Sequence, residues 1–223
     1  MIPLHNLRKD ELVWMGTHKC RHSHTYLEHY SCYLKEHGQP QERIGFLDIE
    51  ASNLDADFGI MLSYSILDSR SRKIYSGVLR KSDFRSRHDQ TDKRIVQQCI
   101  NDIMRFDRIV TFYGKKYDIP FIRTRALALG LEFPTFGSII HTDVYYIAKY
   151  KLKLHSNTLE NVSKILFGKT EKTHIESQYW LGGTRGDPKS LKYILDHNKR
   201  DVRDLERVYL KLIDFQKFSR TSA

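Results

Sequence analysis

No stretch of this sequence stays apolar for the roughly 20 residues that a membrane-crossing helix needs, so a membrane partner is not expected. The opening MIPLHNLRKDELVW has neither a continuous apolar core nor a small-residue cleavage site, and it does not read as a secretory leader. Cysteine is scarce and odd in number: Cys20, Cys32 and Cys99. Such a set does not make a disulfide framework and points to reduced thiols. The expected setting is therefore cytoplasmic or otherwise intracellular, not secreted. Internal repeats and low-complexity tracts are missing too, which excludes solenoids and disordered tails. Acidic side chains are in deficit, 27 against 37 Lys and Arg, for a net charge of +10. That surplus favours a polyanionic partner such as nucleic acid, although a basic surface also serves solubility.

What is present suits a folded domain. The 223 residues are 40% hydrophobic and 12% aromatic, enough for a sizeable core. Residues 1–42 are polar, His-rich and poorly periodic. From there the chain reads as strands IGFLDIE, GIMLSYSIL and KIYSGVLR in an antiparallel meander. A basic loop, KSDFRSRHDQTDKR, leads to a helix of roughly fifteen residues beginning near Thr91. RIVTF is a buried strand, and Asp118 and Pro120 open a helix ending near Gly130. A strand around SIIHTD precedes helices at 143–151 and 157–167. Asp187 and Pro188 start one long helix, or two in series, running to about Phe218. Three meander strands followed by alternating helices and strands make an α/β fold with a mixed five-stranded sheet.

Several acids stand where acids are costly. Alternate strand residues face one side, so Asp48 and Glu50 project together while Leu47 and Ile49 point the other way. Burying two carboxylates side by side costs several kcal/mol, about 3–5, unless a cation or hydrogen bonds offset it. A divalent metal meets that need; a strand end open to solvent does so as well. Asp201 lines up on a helix with Ile194, Asn198, Leu205 and Val208, within or beside the core-facing stripe, and His197 shares that side. An acid at the border of a stripe also pairs with lysine or reaches solvent. Asp118 follows a buried strand and a turn at a helix start, where an acid is also the ordinary capping choice. Asp143 reads as the cap of the helix after it.

In this order, FLDIEASNL, TFYGKKYDIPFI and YILDHNKRDVRDLERVY resemble the three motifs of DEDD-type 3′→5′ exonucleases, ribonuclease H-like proteins related to the proofreading domains of B-family DNA polymerases. HTDVYYIAKYKLKLHSNTLENVSKILFG is similar to the segment before their last motif. The resemblance runs from about Ile44 to Leu212. It implies a ribonuclease H-like sheet flanked by helices over residues 43–218. It further implies that Asp48, Glu50, Asp118 and Asp201 hold two Mg²⁺ or Mn²⁺ ions and hydrolyse phosphodiester bonds of DNA or RNA from a single-stranded end. Two departures are visible. Tyr113 stands where the family often has Asn, and His197 lies four residues before Asp201, where Tyr is usual. His197 is expected to orient or deprotonate the attacking water, unless it is a plain helix-surface histidine. A structure-selective endonuclease on the same scaffold, or a binding module without catalysis, is the alternative.

Substrate contacts are expected from Arg80, Lys81, Arg85 and Arg87, from Tyr113, and from Lys149, Lys151 and Lys153 interleaved with Tyr145, Tyr146 and Tyr150. Near the start, Cys20, His22, His24 and Cys32, with His18 and His29 nearby, have donor chemistry suited to a structural Zn²⁺. Their C-x-H-x-H-x7-C spacing fits no familiar zinc pattern, so a polar extension without metal is the other reading.

Overall fold

The computed structural model describes residues 9–37, 42–85, 90–170 and 175–216. It divides into two compact units, Met1–Arg43 and Ile44–Ala223. The smaller contains helices α1 (Lys9–Thr17) and α2 (Tyr30–His37). Both are too short to show a periodic signal, and the sequence does not announce them. Their core is Met15, Cys20, Tyr26, Cys32 and Tyr33, reinforced by ring contacts such as Trp14 on Tyr26 at 5.4 Å between centroids.

The larger unit is built on strands β1 (Ile44–Ala51), β2 (Met61–Asp68), β3 (Ile74–Val78), β4 (Arg108–Thr111) and β5 (Ile140–Asp143), in the sheet order β3-β2-β1-β4-β5. The first three pair antiparallel through short connections, while β4 and β5 are parallel to β1. Parallel neighbours need long crossovers, which here carry helices α3 (Lys93–Ile103) and α4 (Asp118–Ala128). Four helices follow: α5 (Val144–Lys151), α6 (Leu159–Phe167), α7 (Ser177–Thr184) and α8 (Pro188–Leu212). The mixed five-stranded α/β sheet is thus as the sequence predicts. The final segment forms one helix of 25 residues, started by Pro188 and by Asp187, whose carboxylate accepts from the Ser190 N–H at 2.9 Å. Among the described residues no helix is long and apolar enough to cross a membrane.

Strand alternation splits the core in two. Leu47 and Ile49 pack with Ile95, Cys99, Ile122 and Ala126 on one side of the sheet. Phe46 and Val110 pack with Val144, Ile147 and Val162 on the other. Helix α8 joins both clusters, giving Leu191 and Ile194 to the first and Val202, Leu205 and Val208 to the second. Helix α7 had no sequence signal, because SQYWLGGT carries two glycines in eight residues. Packing favours it: a Cβ on Gly183 would lie 2.6 Å from Ile194 Cδ1, so a side chain there would have to displace that buried methyl group where α7 approaches α8.

A buried ion pair anchors α4. The Arg125 guanidinium donates to both oxygens of Asp92, at 2.6 and 2.9 Å, and Asp92 also accepts from the Met61 N–H at 2.9 Å. The start of α3, the interior of α4 and β2 are tied at one point.

His141 on β5 is buried beside Thr111, with Nε2 2.8 Å from Thr111 Oγ1. Burial first, then the nearby Lys115, Arg108 and Arg123, lowers its pKa from 6.5 to about 4. The unfolded chain therefore binds more protons than the native one between those values. His141 contributes stability that is fully present above pH 6.5 and lost as pH falls through about 4. Denaturant unfolding at pH 7 and pH 4 should show His141→Gln losing less stability on acidification than wild type, by up to about 3 kcal/mol. Equal losses would place the acid sensitivity elsewhere.

Candidate active site

The site lies where the C-terminal half of β1 meets the middle of α8, at the sheet edge where the parallel strands β4 and β5 also end, the usual place for ligands in sheets with parallel strands. On β1, Asp48 and Glu50 alternate with fully covered neighbours and are themselves only partly buried. Their cross-strand partners on β2 are Ser65 and Ser63, both with no exposed surface. Small side chains there leave room for α8 above the two acids.

Helix α8 presents a buried stripe whose apolar run stops after Ile194 and resumes at Val202. His197, Asn198 and Asp201 fill the gap. Asn198 Nδ2 donates to Asp48 Oδ2 at 2.6 Å. His197 Nε2 lies 3.6 Å from Glu50 Oε1 and 3.6 Å from Asp201 Oδ2. Glu50, His197 and Asp201 each offer a donor atom within 4.8 Å of the others. Asp201 is only 2% exposed, so the stripe carries an acid into the interior.

Asp118 arrives from β4. A loop from Phe112 to Tyr117 turns the chain back so that α4 begins at Asp118. The Asp118 carboxylate, 3% exposed, accepts from the Ile49 N–H at 3.0 Å, which sets it against the backbone between Asp48 and Glu50. Tyr117 reports the resulting charge: its phenol is pushed well above the ordinary value by burial, then by Asp118, Glu50 and Asp48 in turn. All four acids and the histidine expected from the sequence are therefore on elements that converge.

The loop is strained and held. Tyr113 has a φ of +68°, a left-handed conformation costly for a tyrosine and easier for asparagine. Gly114 cannot be replaced freely, since a Cβ there would lie 2.4 Å from Thr111 Cβ. Asp143 fastens this turn. Its carboxylate accepts from the N–H groups of Tyr113 at 2.8 Å and Lys115 at 2.9 Å, and caps α5 through Tyr145 at 3.1 Å. Burial raises the Asp143 pKa despite those three donors. The expected cap is present, and it also shapes the loop that delivers Asp118.

The other candidates divide by place. Tyr113 and Tyr145 meet edge to face at 4.7 Å, continued by Tyr146 at 5.2 Å and by Tyr150 stacked on Tyr146 at 6.2 Å. Lys149 Nζ stands 5.7 Å from the Tyr145 ring, and Lys149, Lys151 and Lys153 are exposed. Arg80 and Lys81 are exposed beyond β3 beside Pro188, Leu191, Lys192 and Leu195, and Arg85 is exposed in the turn after them. Arg87 lies outside the described residues. In the smaller unit Cys20, His22 and Cys32 come together, but with His29; His24 is not in that group. The sequence assigns no role to Asn198 or Tyr117. Asn198 was legible only as a polar member of the α8 stripe, and Tyr117 as a neighbour of Asp118.

A sequence model of the RNase H superfamily matches residues 45–213. The chain belongs to the RNase H superfamily. DNA polymerases of Pyrococcus glycovorans and Methanocaldococcus jannaschii are similar to it, at 27% identity over 115 residues and 26% over 119 residues. Those matches cover 42% and 43% of this chain but 15% and 7% of the polymerases, so the chain corresponds to a small part of such proteins. The family B DNA polymerase of Pyrobaculum calidifontis shares the fold, with a TM-score of 0.64 at 19% identity over 80% of this chain and 25% of that one. Within this RNase H-like framework the acids lie on β1, at the first residue of α4 and on the last long helix.

Replacing Asp143 by Ala removes an acceptor shared by three backbone N–H groups and should lower stability by about 2 kcal/mol, with Asp143→Asn recovering part of it. Denaturant midpoints measure this. An unchanged midpoint in Asp143→Ala would mean that the loop keeps its left-handed turn without the carboxylate.

Proposed function

We propose that this chain is a metal-dependent nuclease, a 3′→5′ exonuclease acting on DNA or RNA. The observation that carries the reading is the meeting of Asp48, Glu50, Asp118 and Asp201 at one strand edge, two of them almost without solvent. So many anionic oxygens in one partly dry place are unstable without cations. The donor set of four carboxylates suits hard divalent ions such as Mg²⁺ or Mn²⁺. When bound, a pair of such ions supplies Lewis-acid stabilisation to the attacking and leaving oxygens of a phosphodiester.

The chain's own residues do the rest. Asp48 and Glu50 from the strand, and Asp118 and Asp201 from two helices, would hold the ions. Asn198 fixes the Asp48 carboxylate by donating to it, as residues behind a metal ligand commonly do. His197, facing Glu50 and Asp201, would orient the attacking water and accept its proton. The row Tyr113, Tyr145, Tyr146 and Tyr150 would give bases rings to stack on, with Lys149 and Lys151 on α5 and Lys153 just beyond it for the phosphates. Similarity to parts of DNA polymerases supports an end-directed reading over internal cutting.

End-labelled and internally labelled DNA and RNA, incubated with Mg²⁺, Mn²⁺ or EDTA, separate the choices. A ladder shortening from the 3′ end is expected; internal cuts would mean an endonuclease, and metal-independent binding without cleavage an inactive module. Asp48→Asn should cost about 10³-fold or more in kcat, or roughly 4 kcal/mol of transition-state stabilisation. Full activity in that variant would remove the site assignment.

The histidine has its own test. At saturating Mg²⁺, His197→Ala should lower kcat by about 10²–10⁴-fold while leaving the half-saturating Mg²⁺ concentration unchanged. A higher metal requirement with near-normal maximal rate would make His197 a metal ligand instead.

A further inference from the structure

We propose that the smaller unit, Met1–Arg43, contains a structural zinc site made by Cys20, His22, His29 and Cys32. The four side chains come from two pieces of local structure. Cys20 and His22 sit on a tight hairpin closed by a bridge between Lys19 and Thr25. Its turn is set by the Cys20 N–H donating to the His24 carbonyl and the Ser23 N–H donating to the Cys20 carbonyl, both at 2.9 Å, with Ser23 left-handed at a φ of +64°. His29 and Cys32 lie at the entry of α2, where the Cys32 N–H donates to the His29 carbonyl at 2.9 Å. A hairpin turn facing a helix start is a compact way to present two pairs of ligands.

The distances fit one tetrahedral ion. With Zn–S near 2.3 Å and Zn–N near 2.0 Å, tetrahedral geometry separates a sulfur from a nitrogen by about 3.5 Å. Cys20 Sγ lies 3.9 Å from His22 Nδ1 and 3.6 Å from His29 Nδ1. Cys32 Sγ lies 3.3 Å from His22 Nδ1 and 3.6 Å from His29 Nδ1. All four sulfur–nitrogen edges thus bracket the ideal, and all four donors lie within 4.8 Å of one another. Both thiols are buried and free of disulfide. Two thiolates and two imidazoles select zinc over Mg²⁺ or Mn²⁺.

The neighbouring histidines are otherwise engaged. His24 closes the hairpin through its backbone carbonyl, while its exposed side chain stays outside the group. His18 Nδ1 is 2.9 Å from the Trp14 carbonyl at the end of α1. A structural role follows from size: a unit of about 40 residues rarely holds together on its hydrophobic core alone. Two of the five buried hydrophobic residues in this core are the proposed ligands Cys20 and Cys32.

The test uses the full chain, without a histidine tag, purified under reducing conditions without chelator. Plasma mass spectrometry should find one tightly held zinc per chain. Exchange for Co²⁺ should give thiolate-to-cobalt charge-transfer absorption, a signal that the carboxylate site of the larger unit cannot produce, so the outcome is independent of the nuclease reading. His29→Ala and Cys32→Ser should lose that absorption, and His24→Ala should keep it in full. Should the first two variants fail to fold, metal-stripped wild type must regain the band on adding Co²⁺. Absence of the band, a Cys20–Cys32 disulfide in the reduced preparation, or equal loss in His24→Ala and His29→Ala would overturn the proposal.

Discussion

The larger unit is organised around a conflict of charge: two acids on the central strand face the one turn of α8 where its apolar stripe is broken. Asp48 and Glu50 project from β1 toward His197, Asn198 and Asp201, and Asp118 closes in against the backbone between them. Buried carboxylates without cations are costly, yet the neighbouring structure accommodates them at every step. Serines stand opposite them on β2, an amide holds Asp48, and α8 is long enough for an apolar half-stripe on either side of the polar turn. Those two half-stripes belong to different cores, one on each side of the sheet. The helix is thereby fixed at both ends while its middle carries His197, Asn198 and Asp201.

The same constraint explains the bend after β4. An acid must reach the back of β1 from a neighbouring strand, and the shortest route is a turn that reverses at once into a helix. That turn takes a tyrosine into left-handed space and a glycine against Thr111. Strain of this kind persists only where surroundings over-determine it. Here Asp143, at the end of the next parallel strand, holds the turn through two of its N–H groups. The edge strand β5 thus serves the site at one remove, through a carboxylate that caps its own helix as well.

Much of this was legible in the sequence because it is local. IGFLDIE shows a strand with two acids on one side, and the spacing from Ile194 to Val208 shows an acid in a helical stripe. The order of three weak motifs shows the family. What escaped is what depends on contacts distant in sequence. The partnership of Asn198 with Asp48 spans 150 residues, and Asp92 with Arg125 spans 33; no periodicity announces either. Helix α7 is poorly helical by composition, and its packing against α8, with Gly183 close to Ile194, joins residues that no local pattern links. In the smaller unit, spacing along the chain favoured His24, whereas the hairpin turns that side chain out and brings His29 in from the start of α2.

The two clusters also show why residue type separates metal sites more sharply than geometry does. Each gathers ionisable donors within 4.8 Å, so distance alone would treat them alike. One offers carboxylate oxygens from β1, α4 and α8, a donor set suited to ions that keep part of their water. The other offers sulfur and imidazole nitrogen in numbers that fill a tetrahedron, leaving no position for a substrate. Hard donors whose ions keep part of their water point to turnover, and soft donors in a closed set to architecture. The chain carries both kinds of donor set; if each holds the ions proposed for it, a chelator would act on the two for different reasons, on phosphodiester chemistry in one and on the staple of a small core in the other.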